Sequence, residues 1–186
     1  TYREQVTVPA SGSAAAPFVF RAQGAGVIVD GSDDFSSTSK WSLYSGNVWL
    51  AASVTWTPKQ VFADGVRLTS STATPSALLP GTFKYVSGAG LYVNAGGGNP
   101  GTHGAQVGRR SYAFRLSGRS YVTISGFNVA RTEDKAIYLS SASNNCTITN
   151  NTIIFANRAG IAANACTGVL VGSNLVSDGG DHGIYI

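Results

Sequence analysis

The side chains best suited to chemistry in this 186-residue chain fall into one spaced row near its C-terminal end. Asp134, Arg158 and Asp181 recur 24 and then 23 residues apart, and Lys135, Ala159 and His182 follow them at the same spacing. Glu133 and Asp178 lie beside them in sequence. A pair of carboxylates roughly 5–9.5 Å apart does the acid and base work of glycoside hydrolysis, which Asp134 and Asp181 could supply. Removing the proton beside a uronate needs instead a base, and a cation to hold the carboxylate. His182, Lys135 and Arg158 have that chemistry. The catalytic candidates are therefore Asp134, Asp181 and His182. Glu133, Lys135, Arg158 and Asp178 are the substrate-binding candidates. The same row also reads as a salt-bridged stripe of exposed turns, or as non-catalytic ligand contacts.

Other reactive residues carry weaker signals. His103 lies in a Gly-rich loop with no partner near it in sequence. Asp33 and Asp34 could touch calcium, but the roughly six to eight oxygens that ion takes are not evident. No metal ligand and no cofactor is assigned. Trp41, Trp49 and Trp56 either stack on sugar rings or form a small core. Cys146 and Cys166 are 20 apart: bonded in an oxidising compartment, or free thiols in the interior. No His adjoins either, which argues against a thiol nucleophile. Asn145 and Asn150 begin glycosylation-type triplets, but both fall where asparagine has structural work.

An internal repeat must position the row. Ile124, Ile148 and Val171 anchor three similar segments, 122–129, 146–153 and 169–176, and are 24 and 23 residues apart. Ile137, Ile161 and Ile184 form a second series with the same spacing. Each repeat holds short alternating runs separated by Asn, Gly or Ser, which read as strand–turn–strand–turn. Such a unit cannot bury its own apolar residues and must stack on its copies, strands about 4.8 Å apart. The expected fold is all-β, a parallel solenoid with Ile124, Ile148 and Val171 in one interior column. Asp134 and Asp181 then lie two coils apart, about 9.6 Å, which suits inversion. Asn151 and Asn174 sit three residues after their anchors, where stacked amides bridge turns and tolerate the left-handed conformation; Phe127 takes that place one repeat earlier.

Composition agrees. Apolar residues make up 43%, charged residues only 12%, and Gly numbers 23, which excludes wholesale disorder and disfavours a helical bundle. No apolar run approaches the roughly 20 residues that span a bilayer. Net charge is +4. No acid lies between Asp64 and Glu133, whereas Arg67, Lys84, Arg109, Arg110, Arg115, Arg119 and Arg131 do. Such a stretch attracts an acidic polysaccharide or is a solvated face. No recognition motif accompanies it, so nucleic acid is not an expected partner.

Residues 1–8, 17–22 and the three repeats resemble the right-handed parallel β-helix superfamily of pectate-lyase type, in its bacterial extracellular branch. The resemblance covers roughly 1–31 and 112–186. It implies fold more than activity, because that superfamily hosts lyases, hydrolases, esterases and non-catalytic adhesins. Residues 18–22 and 27–31 are expected to match 112–116 and 122–126, so the coil breaks off near Ser32 and resumes near Tyr112. Between them lie the three tryptophans, β runs at 59–68, 83–86 and 91–93, and a Gly-rich exit at 96–101. Asp64 and Gly65 form a plausible hairpin turn. A small antiparallel β insertion is expected, giving domains 1–31, 32–111 and 112–186. Residues 62–65, 80–83 and 91–93 resemble an insertion found in several β-helix glycoside hydrolases. With no signal-peptide pattern, no starting Met, and strands at both ends, a piece of a longer chain is expected, whose relatives often carry catalytic groups on later coils. The leading expectation is a fragment of a secreted bacterial carbohydrate-active enzyme that cleaves glycosidic bonds of a neutral or acidic polysaccharide, hydrolase ahead of lyase. The contrary one is a non-catalytic cell-surface or polysaccharide-binding solenoid. They separate on whether the acids converge on a groove or merely pair with Arg158 and Lys135.

Overall fold

A computed structural model describes residues 1–24 and 26–186. The chain divides into two compact units, Thr1–Gly31 with Arg110–Ile186, and Ser32–Arg109.

In the first unit, period-two alternation sets which side chains turn inward. Along Phe114–Ser117 the Phe and Leu are buried while Arg115 and Ser117 face out, and Ile137–Ser140 repeats the pattern. Val6–Thr7, Phe114–Ser117, Ile137–Ser140, Ala159–Ala163 and His182–Tyr185 form one parallel sheet. A second contains Phe18–Arg21, Val122–Ser125, Thr147–Thr149 and Leu170–Gly172. A third contains Ile28–Asp30, Asn128–Ala130, Thr152–Ile154 and Leu175–Ser177. Each coil thus has three strands rather than two. The segment 122–129 turns at Gly126, whose φ is 81°, and its ends join different sheets.

Register places like on like. Phe20, Ile124, Ile148 and Val171 pair in one column. Val6, Phe114, Ile137, Ile161 and Ile184 form another. Val29, Val129, Ile153 and Val176 form the third. Ile124, Ile137, Ile148, Ile153 and Ile161 are fully buried, and burying each stabilises the coil by about 1.5–3 kcal/mol. One alignment differs from expectation: Phe18–Arg21 pairs with Val122–Ser125, and it is Val6–Thr7 that pairs with Phe114 and Arg115. A period-two pattern fits several neighbours equally well. The order of strands within the coil decides, because a third-sheet strand must come next.

The asparagine ladder forms, with a shift of one residue in backbone conformation. Asn150 (φ 57°) and Ser173 (φ 53°) take the left-handed conformation, rather than Asn151 and Asn174. The following side chains are thereby free to bridge coils. Asn151 Nδ2 donates to Asn174 Oδ1 at 3.0 Å and to the Ile124 carbonyl at 3.2 Å, and the Phe127 N–H donates to Asn151 Oδ1 at 3.1 Å. Asn145, the other glycosylation-type position, is also left-handed (φ 53°). Cys146 and Cys166 are free thiols. Burial pushes the Cys146 thiol up, and it donates to the Arg119 carbonyl at 3.3 Å. The fully buried Asp30 carboxylate receives Arg3 at 3.1 Å and Arg131 at 2.5 Å.

The second unit has two sheets. One orders Ser42–Ser45, Val48–Ala51, Gly90–Asn94, Thr82–Val86 and Thr69–Ser70, antiparallel except for its last pair. The other orders Ser32–Asp34, Gln106–Gly108, Val61–Ala63 and Val66–Arg67, all antiparallel. Asp64 (φ 51°) and Gly65 (φ 74°) make a two-residue turn between the last two strands, the backbone that matches hairpin twist. The tryptophans belong to this unit's core. Trp41 is buried and donates to the Phe35 carbonyl at 2.9 Å; Trp56 donates to the Gly108 carbonyl at 2.7 Å; Trp49 packs against the same cluster.

Candidate functional site

In the first unit, the turns that enter the five-stranded sheet stack on one another and carry the row of charges. The Arg158 N–H donates to the Asp134 carbonyl at 2.8 Å, and the Asp181 N–H donates to the Arg158 carbonyl at 2.9 Å. Gly180 makes the closest approach: a Cβ there would stand 1.9 Å from the Asn157 carbonyl oxygen. Only glycine lets this turn settle on the one before it.

On that stack the side chains alternate in charge. Arg158 Nε donates to Asp181 Oδ2 at 3.1 Å, and its NH1 lies 3.8 Å from Asp134 Oδ1. Lys135 Nζ meets both Asp134 oxygens at 3.0 Å. The Tyr112 hydroxyl donates to Asp134 at 3.4 Å. The Asp181 hydrogen bond and then the Asp134 charge raise the Arg158 guanidinium further above its ordinary value. Burial first, and then Asp134, push the Tyr112 phenol up.

Next to this row an open groove of about 330 Å³ is lined by Lys135, Arg158, Ala159, Ala162, Asn164, Asp181, His182 and Tyr185. Its shape follows from register. Tyr138, Ala162 and Tyr185 are partners across three strands, and Ala159 is the partner of His182. The middle strand therefore carries small residues where its neighbours carry large ones, and a notch opens over it. On one side His182 stacks on Tyr185, ring centroids 5.8 Å apart and planes 21° apart. On the other, Lys135 Nζ lies over the Tyr138 ring and Asn164 donates to the Tyr138 hydroxyl.

The groove thus unites four of the seven residues singled out from sequence: Lys135, Arg158, Asp181 and His182. Asp134 supports them through ion pairs without lining the space. Glu133 is 5% exposed, and its N–H donates to the Arg110 carbonyl; it is a buried turn residue, and a substrate has no approach to it. Asp178 is exposed at a left-handed position (φ 53°) but does not line the groove. Ala159, Ala162, Asn164 and Tyr185 complete it. Their signal is in the sequence, since Tyr138, Ala162 and Tyr185 share the 24- and 23-residue spacing.

The remaining candidates lie elsewhere. His103, without a partner in sequence, has two in space: Asp64 Oδ2 at 2.6 Å from Nδ1 and the Gly97 carbonyl at 2.5 Å from Nε2. Those contacts raise the imidazole above its ordinary value. Asp33 pairs with Arg109 at 3.0 Å, and Asp34 accepts from the Ser36 N–H. No cluster of three or more His, Cys, Asp or Glu suited to a metal occurs among the described residues. Among those residues, too, no helix is long and apolar enough to cross a membrane. A larger hollow, about 620 Å³, has mainly inward-facing walls such as Val6, Phe20, Val29, Phe114 and Phe127, with Glu4 the carboxylate at its rim.

No curated protein sequence matches this chain. Among solved structures it is similar to XylC in complex with xylose, with a TM-score of 0.73 and 14% identity. That likeness, which is one of fold, covers 96% of this chain and 47% of XylC, so the chain spans about half that protein's length. Residues 59–186 match the family described as right handed beta helix region. With three parallel sheets stacked in register and most of its length inside that match, the chain belongs to the right-handed parallel β-helix family.

Proposed function

We propose that this chain is the β-helical part of a secreted, carbohydrate-active protein, and that its groove holds a polysaccharide. The observation that carries this reading is the notch itself: an aromatic pair, His182 on Tyr185, facing polar groups from Lys135, Arg158, Asn164 and Asp181. Sugars offer an apolar C–H face and a rim of hydroxyls. An aromatic wall suits the first, and groups that donate and accept side by side suit the second. The sugar named with XylC is consistent with this reading. The test is calorimetric titration with oligosaccharides. Tyr185→Ala should weaken binding about two- to tenfold, and affinity unchanged in both Tyr185→Ala and His182→Ala would remove the groove from consideration.

Glycosidic bond cleavage is the second reading, favoured by Asp181 and His182 lining the groove side by side. Hydrolysis stands ahead of elimination, because Lys135 and Arg158 are engaged by carboxylates and neither is free to hold a uronate. Binding stands ahead of both, because Asp134 turns to Lys135 and Arg158 and only one carboxylate, Asp181, reaches the groove. Turnover of a polysaccharide panel, read by reducing ends and by absorbance of unsaturated products, separates the three. Release of reducing ends that Asp181→Asn abolishes would establish hydrolysis at this site.

A further inference from the structure

We infer that the groove selects neutral sugar chains over uronic ones; this rests on the binding reading above and adds the class of ligand. The row beside the groove holds two cations and two carboxylates, interleaved as Lys135, Asp134, Arg158 and Asp181, and each cation has an acidic partner in place. Lys135 is held by both oxygens of Asp134, with only 13% of its side chain exposed. Arg158 is more open, but its Nε is taken by Asp181 and its NH1 faces Asp134.

A uronate carboxylate entering this space has to displace one of those internal partners, each tethered at high effective concentration. If it does not, it sits against Asp181 as a like charge. A sugar hydroxyl meets neither obstacle. It donates to Asp181 and accepts from Arg158 at once, so it bridges the pair without separating it. Asn164 and His182 add uncharged polar contacts, and the Ala159–Ala162 floor, with Ala162 only 1% exposed, brings no charge. The seven basic residues that suggest an acidic ligand in the sequence, from Arg67 to Arg131, are all absent from the lining. Arg131 is turned to Asp30, Arg109 to Asp33, and Arg119 to the Val8 carbonyl.

The experiment compares a neutral xylo-oligosaccharide with an oligogalacturonate of equal length, titrated into the whole chain at low ionic strength, where charge effects are largest. The neutral chain should bind at least about tenfold more tightly. Asp181→Asn, a change at an exposed turn, should raise galacturonate affinity about tenfold by releasing Arg158 and removing the like charge. Equal or tighter galacturonate binding by the unaltered chain overturns the inference and leaves the groove standing as a binding site. Neutral preference that Asp181→Asn does not shift also overturns it, because the discrimination then has another origin. If neither oligosaccharide binds, the groove reading falls and the inference falls with it.

Discussion

The two units solve the same problem, burying β-strands, by opposite means. In the coil unit every interior residue sits on its counterpart one turn away, so Ile124, Ile148 and Val171 share one environment three times over. In the Ser32–Arg109 unit no pairing repeats. Val61–Ala63, for example, is flanked by Gln106–Gly108 on one side and Val66–Arg67 on the other. Their histidines follow the same division. His182 takes its place from register, as the partner of Ala159. His103 takes its place from two loops far apart in sequence, which bring Asp64 and Gly97 to its two ring nitrogens. A periodic fold therefore carries its site in its spacing, whereas a non-periodic one conceals its contacts until it has folded.

The largest effects should come from the coil unit's unrepeated exception, the buried Asp30 between Arg3 and Arg131. Asp30→Ala leaves two guanidiniums without their carboxylate and should cost about 3–5 kcal/mol, read as a lower urea midpoint. A loss below about 1 kcal/mol would show that the cluster is peripheral. Next, Ile148→Ala opens a cavity in the periodic column, and Val93→Ala does so in the non-periodic core. The first should lose about 2–5 kcal/mol and the second less, since fewer methyl groups are removed. A reversal of that order would sink the claim that stacking columns dominate. Asn151→Ala should cost about 1–3 kcal/mol, because the Ile124 carbonyl and the Phe127 N–H lose their partner inside a turn.

The smallest effect is the pH response of the second unit. Because the folded imidazole of His103 is raised above its ordinary value, its contribution is fully present below about pH 6.5. It is lost as pH rises through the higher folded value. The pair is largely exposed, so roughly 0.5 kcal/mol is expected. Unfolding across that window should show a decline that His103→Gln flattens; an identical slope in the variant would exclude the clamp.

Much of the coil was legible because its period is a one-dimensional signal. Two anchor series were enough to stack the strands and to bring Asp134, Arg158 and Asp181 into one row. Three features were not legible. Alternation alone did not say that Phe18–Arg21 belongs beside Val122 rather than Phe114, since a period of two leaves the choice open. It did not separate Glu133, which turns inward, from Asp134, which turns out, because a turn has no fixed face. Nor did it say which ion pairs form among residues that all lie within reach.

What the sequence determined by itself, then, is the repeat and everything that follows from repetition: the sheets, the interior columns, the asparagine ladder and the level of each charged turn. What the tertiary structure alone decided is how side chains on neighbouring turns divide their contacts. Arg158 links Asp134 to Asp181, Lys135 closes on Asp134, and a notch is left open over Ala159 and Ala162. The reason is physical. Stacking is enforced by burial, which depends on residue type and spacing, whereas ion pairs and grooves depend on distances that exist only after the coils have closed on one another.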